Sequence, residues 1–291
     1  MFSGFANSWQ LVKASWAVLQ SDKELLWFPV ISGFTILLIT IIFFVPASAL
    51  FGIFSGVPVD ESTFNVIGFV LLFLFYLVSY SVSIYFNTAL IGAAMIRFDG
   101  GDPKLSDGFE VANSKLSSIF GYALVSATVG MILRAIQERG GIIGSIVSWL
   151  GGVAWNLATF LVVPVLVVHD VGPIDAIKRS ASLLKETWGE QITGNFSLGA
   201  IFMLIYLALF LVGGGLVFLI GMALESVLVL IVGFAIVVLL TIMLAIINGA
   251  LNGIFQAALY RYAQEGVAPD NFDIELIRGA FKPKKKKAGL F

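Results

Sequence analysis

VLVLIVGFAIVVLLTIMLAIINGALNGIFQAAL, residues 227–259, runs its whole length without a charged side chain. A bilayer core about 30 Å thick is crossed by roughly 20 apolar helical residues, so this stretch spans a membrane with length to spare. Hydrocarbon offers no partner to backbone N–H and C=O groups, which makes a helix the form such a run must take. Working outward, the sequence holds five more uncharged apolar runs: Leu25–Phe51, Phe64–Ile96, Leu116–Leu133, Ile142–Val168 and Ile192–Leu219. The composition, 59% hydrophobic and 12% charged over 291 residues, lies outside the soluble range and inside the multi-spanning one. No basic segment precedes the first run, and that run is too long for a signal peptide, so the first span is expected to persist.

Six crossings place the loops alternately on two sides, and Lys and Arg concentrate on the cytoplasmic one. Of the seventeen basic residues, only Arg134 and Arg139 fall on one side; the loops around Asp60-Glu61 and Glu225 on that side hold none. All the others, including Lys282, Lys284, Lys285, Lys286 and Lys287, fall on the opposite side. Both termini are therefore expected in the cytoplasm, with the protein multi-pass in the cell membrane. An odd number of spans would weaken this asymmetry.

The connections follow a repeated order: an amphipathic segment, a span, then a longer span closed by a proline turn. The turns are Gly100-Gly101-Asp102-Pro103, Val171-Gly172-Pro173 and Gly266-Val267-Ala268-Pro269. The amphipathic segments carry apolar residues at helical spacing: Trp9, Val12, Trp16 and Leu19; Phe109, Ala112, Leu116 and Ile119; Ile174, Ile177, Ala181 and Leu184. Each is expected to lie along the cytoplasmic surface, with Trp9, Trp16 and Trp188 at the interface and Lys13, Lys178, Arg179 and Lys185 reaching headgroups. The expected fold is an all-α polytopic bundle of six transmembrane helices. It would comprise three parallel repeats of surface helix plus two spans, about 1–98, 99–170 and 171–265, related by a pseudo-threefold axis. A single transmembrane domain would cover 1–281, followed by a polybasic cytoplasmic tail, 282–291.

Membrane helices associate through small residues and polar groups. Ser79, Ser83 and Asn87 share one face of the second span, as do Ser148, Gly152 and Asn156 on the fourth. The last span carries Thr241, Ala245, Gly249, Gly253 and Ala257 beside a stripe of Asn248, Asn252 and Gln256. These faces are expected to point inward. Asn87, Asn156, Asn248, Asn252 and Gln256 form a candidate polar interior, whether as interhelical hydrogen bonds or as the lining of a cavity. Arg134 and Glu138, four residues apart, are placed to pair at the non-cytoplasmic end of the third span. His169-Asp170 reads as a helix end. The tail lysines are candidate contacts to anionic headgroups, each worth about 1 kcal/mol near the surface. The sequon Asn195-Phe196-Ser197 falls on the expected cytoplasmic side. Pro29 lies in the first turns of the first span, whereas Pro46 is expected to kink or end that helix. Gly213-Gly214-Gly215 marks a break in the fifth span.

The segment Ser8-Trp9-Gln10-Leu11-Val12-Lys13-Ala14-Ser15-Trp16, followed by Asp22-Lys23-Glu24-Leu25-Leu26-Trp27-Phe28-Pro29, resembles a family of uncharacterised prokaryotic six-helix membrane proteins, a domain of unknown function. That resemblance implies a fold and no catalytic role. The order of surface helices and paired spans is also distantly similar to the membrane portion of some glycerophosphodiester phosphodiesterases, a resemblance from which no hydrolase activity is expected to carry over.

With no cysteine and the single histidine His169, the chain offers no thiolate chemistry and little from which to build a metal site or a Ser-His-Asp triad. No catalytic residue, metal or cofactor is expected. The expected function is that of a noncatalytic membrane protein interacting with membrane lipids or a membrane-protein partner, not with nucleic acid. The alternative is a transporter or channel for a small polar solute, although no ionisable residue lies at mid-membrane in the way such pathways usually require.

Overall fold

The computed structural model describes residues 2–50, 61–188 and 197–280, and these are helical without a strand. The helices are α1 (Phe2–Ser21), α2 (Trp27–Leu50), α3 (Glu61–Phe98), α4 (Leu105–Ser114), α5 (Leu116–Arg139), α6 (Gly141–Ala158) and α7 (Val162–Val168). They continue with α8 (Pro173–Trp188), α9 (Ser197–Ala208), α10 (Gly215–Ala223), α11 (Val227–Glu265) and α12 (Ile274–Arg278). Among the described residues six helical segments are long and apolar enough to cross a membrane: Lys23–Ser48, Val66–Phe98, Leu116–Arg139, Gly141–Val168, Ile201–Ala223 and Val227–Glu265. Each overlaps one of the six runs read from the sequence, because length and uninterrupted apolarity set both; the fifth lies later than expected, at Ile201–Ala223, and the start of that run falls outside the described residues.

Three local departures have identifiable causes. Helix α2 continues through Pro46 to Leu50, so this proline does not end it. The fourth span is split at Thr159–Leu161 into α6 and α7. Pro164 lies just beyond, and its ring excludes the carbonyl four residues earlier, so the bonding pattern is interrupted one turn ahead of it. The fifth span does not break at its glycines; it widens into a π-helical stretch, Leu209–Gly214, that joins α9 to α10.

The chain forms two compact units. Residues 27–186 make one, in which α3 packs on α2, α4, α5 and α7, and α5 packs on α6. Helix α4 lies very close to its neighbours. A Cβ added at Gly108 would come 2.6 Å from the Ala89 carbonyl oxygen and 2.5 Å from the Phe28 ring. Phe109 stands edge-on to Phe28 with centroids 5.4 Å apart, and the Tyr85 hydroxyl donates to Asn113 Oδ1 at 2.9 Å. The α5–α6 hairpin turns on Gly141, whose φ of 54° suits a residue without a side chain. Ser148 Oγ then ties the two helices by donating to the Leu133 carbonyl at 2.8 Å.

The second unit joins residues 1–26 to 187–291. Here α1 packs on α9 and α11, and α10 packs on α11. The repeat drawn from the sequence groups α1 with the two spans that follow it, whereas its contacts within this unit are with the last two. The buried side of α1 is Ser8, Leu11, Val12, Ser15, Val18 and Leu19. Two small serines on that side let helix backbones approach.

Candidate functional site

Of the three segments expected at the surface, the first and third each form one helix, whereas the second is divided at Lys115: Phe109 and Ala112 lie on α4, but Leu116, 53% exposed, and Ile119 belong to α5, and the buried sides of the other two differ from those expected. On α1, Val12 and Leu19 are buried as the periodicity requires, while Trp9 and Trp16 turn outward, 42% and 38% exposed. With Lys13 they form an exposed ridge along one side of the helix. On α8 the buried stripe is Ala176, Ser180, Leu184 and Trp188, and Ile174 is half exposed. Trp188 therefore does not present its indole to lipid and water as expected. Its indole is 2% exposed, donates Nε1–H to the Ile277 carbonyl at 3.3 Å and lies against Tyr262. A protein carbonyl thus provides the partner that interfacial water would otherwise supply.

Ser180 has a role that apolar spacing could not reveal. The break before Pro164 frees the Leu161 N–H from the helical ladder, and that group donates to Ser180 Oγ at 3.0 Å in a fully buried setting. A second capping contact closes α7. Lys115 Nζ donates to the His169 carbonyl at 3.2 Å and stands 3.8 Å from Asp170. A cation at a helix C-terminus satisfies carbonyls that lack an intrahelical partner and complements the dipole. The side chain of His169 sits just beyond the span. Burial, followed by the positive charges of Arg179 and Lys115, holds its imidazole below the usual histidine value.

The candidate polar residues are divided between the units. Asn252 Nδ2 donates to both the backbone carbonyl and Oδ1 of Asn248, at 2.9 and 2.6 Å, one turn apart on α11. Asn248, Asn252 and Gln256 are each half-buried, and farther along Gly253 and Ala257 are buried. Asn87 is half-buried on α3 beside the fully buried Thr88. Asn156 is exposed on α6, although Ser148 on the same face is buried. The expectation of an inward face thus meets a helix that buries only its first turns there. Lys282, Lys284, Lys285, Lys286 and Lys287 lie outside the described residues, as does Asn195.

Arg134 and Glu138 form the ion pair their spacing suggests, Nε to Oε1 at 2.7 Å. The structure adds what spacing could not show: Arg134 Nη1 reaches the Tyr76 hydroxyl oxygen at 3.5 Å, and the pair borders a cleft of about 200 Å³ between α3 and α5. Among the described residues no three carboxylate or imidazole groups converge as metal ligands.

Compared with known families, residues 66–270 match a family described as "Family of unknown function (DUF6159)". The matched region runs from the second span through the last and leaves out Ser8–Pro29, the segment that carries the resemblance drawn from the sequence. No curated protein matches the chain, and no similarity to glycerophosphodiester phosphodiesterases is found.

Proposed function

The chain belongs to DUF6159, a family of unknown function, and on that premise we propose that it is a noncatalytic multi-pass protein of the cell membrane that engages lipids through its surface helices. The observation that carries this reading is the Trp9-Lys13-Trp16 ridge of α1. An indole favours the bilayer interface, and a lysine beside it reaches the phosphates, so a helix held by its other side offers the lipid a ready contact. Both termini are cytoplasmic in this reading, and the lysine tail adds attraction to anionic headgroups.

A pseudo-threefold plan belongs to the same proposal. It is supported by the placing of each surface helix beside a second span: α4 on α3, α8 through Ser180 on the break in the fourth span, and α1 on α11. A transport function is the second reading, favoured by the π-helical stretch in the fifth span, since such widenings often occur at functional positions.

Lipid co-purification measured by mass spectrometry, set beside solute flux into proteoliposomes, separates the two. The lipid reading expects retained lipid that declines when Trp9 and Trp16 are both replaced by Ala, with no flux above that of empty vesicles. Reproducible flux would displace it in favour of transport.

A further inference from the structure

Two clefts meet over the first turns of the span carried by α3. One is the space of about 200 Å³ between α3 and α5, bounded by Phe69, Met131, Arg134 and Glu138. The other, about 260 Å³ between α2 and α3, is walled by Phe43, Phe44, Leu71 and Phe75. Gly68 and Leu72 border both, so the two clefts adjoin along α3. The first cleft therefore presents charge and the second presents hydrocarbon, side by side at one end of three spans.

The charged groups retain unused bonding capacity. A guanidinium has five N–H donors, and the contacts to Glu138 and Tyr76 engage two of them. Tyr76 accepts from Arg134 and so helps hold the guanidinium at the edge of the cleft. Glu138 uses one carboxylate oxygen, and its side chain is 61% exposed.

We propose that this double cleft binds one zwitterionic phospholipid bearing a primary ammonium group. Its phosphate sits on Arg134, its ammonium on Glu138, and part of an acyl chain in the apolar groove. The charge pattern selects this occupant. An anionic headgroup would bring its net charge beside the Glu138 carboxylate, whereas a zwitterion offers each member of the pair the opposite sign. Charge-assisted hydrogen bonds from Arg to phosphate are among the stronger polar contacts, and bilayer lipid is the surrounding medium at this depth. The inference rests on the lipid reading above and gives it a specific site.

The test titrates the detergent-purified full chain with dioleoyl phosphatidylethanolamine and, separately, dioleoyl phosphatidylglycerol, reading bound lipid by native mass spectrometry. The wild type is expected to prefer the ethanolamine lipid, Arg134→Gln to lose at least about tenfold of that affinity, and Glu138→Gln to lose the preference between the two. The exchanged variant R134E/E138R keeps a pair of the same spacing, safeguards folding and moves the guanidinium out of place; it should behave as Arg134→Gln does. Unchanged ethanolamine-lipid affinity in either arginine variant, with an unaltered thermal transition, overturns the site. So does an unchanged preference in Glu138→Gln. Either result leaves the broader lipid reading standing, since that reading is tested separately by solute flux and by the Trp9 and Trp16 replacements.

Discussion

Replacing Gly108 by Ala tests how α4 is held. The added methyl carbon would come 2.6 Å from the Ala89 carbonyl oxygen and 2.5 Å from Phe28 Cζ, well inside contact distance. The ring can rotate, but the carbonyl belongs to the backbone of α3 and cannot yield without moving the span. Overpacking of this kind costs about 1–3 kcal/mol, partly offset by the ~1 kcal/mol that Ala gains over Gly in a helix. The net expectation is a loss of about 0–2 kcal/mol, a fall in thermal midpoint of up to roughly 3–4 °C for a chain of this size, while the gap to a glycine that gains the propensity without the clash is the full ~1–3 kcal/mol. Gly33→Ala serves as the control, since nothing lies within 4 Å of its added Cβ; it should leave the midpoint unchanged or raise it slightly. The midpoint is read in detergent by following the monodisperse fraction after heating. If Gly108→Ala matches Gly33→Ala, the close approach of α4 to α3 is refuted.

Ser180→Ala would strand the buried Leu161 N–H and should destabilise by about 1–3 kcal/mol, whereas Ser182→Ala, on the exposed side of α8, should stay within about 0.5 kcal/mol; parallel melts compare them. His169 makes stability pH-dependent. Its folded value lies below the ordinary one of about 6.5, so the unfolded chain binds the proton more readily. Its contribution is complete above pH 6.5 and is lost as pH falls through 6.5 toward the folded value. Lys115→Met removes one of the charges holding that value down and should narrow the window; melts between pH 5 and 8, with His169→Gln as reference, reveal the difference.

The six spans were legible because a helix needs only length and apolarity to cross hydrocarbon, and both are written along the chain. The ion pair of Arg134 and Glu138 was legible for a similar reason, since a helix fixes the distance between residues four apart. What spacing could not give was the choice of partner. Trp188 has the same amphipathic indole as Trp9, yet the Ile277 carbonyl and Tyr262 meet it 89 and 74 residues further along, so one is buried and the other exposed. The contacts of α1 with α9 and α11 are of the same kind: its pattern showed that one side would be buried but not against which helices. Pro164 carried a readable signal for the split in the fourth span, whereas the demand this places on Ser180 appears only in three dimensions. Tyr76 gave no sign of its proximity to Arg134, being 58 residues away in the chain.

Everything functional depends on six crossings with both ends on one side. The chain has no cysteine, so single thiols can be introduced without background. Gln10→Cys and Glu265→Cys, at exposed positions near either end, should react with a membrane-impermeant maleimide only after the membrane is opened. Gln137→Cys and Glu225→Cys should react in intact cells. Labelling that puts residues 10 and 265 on opposite faces would contradict the account.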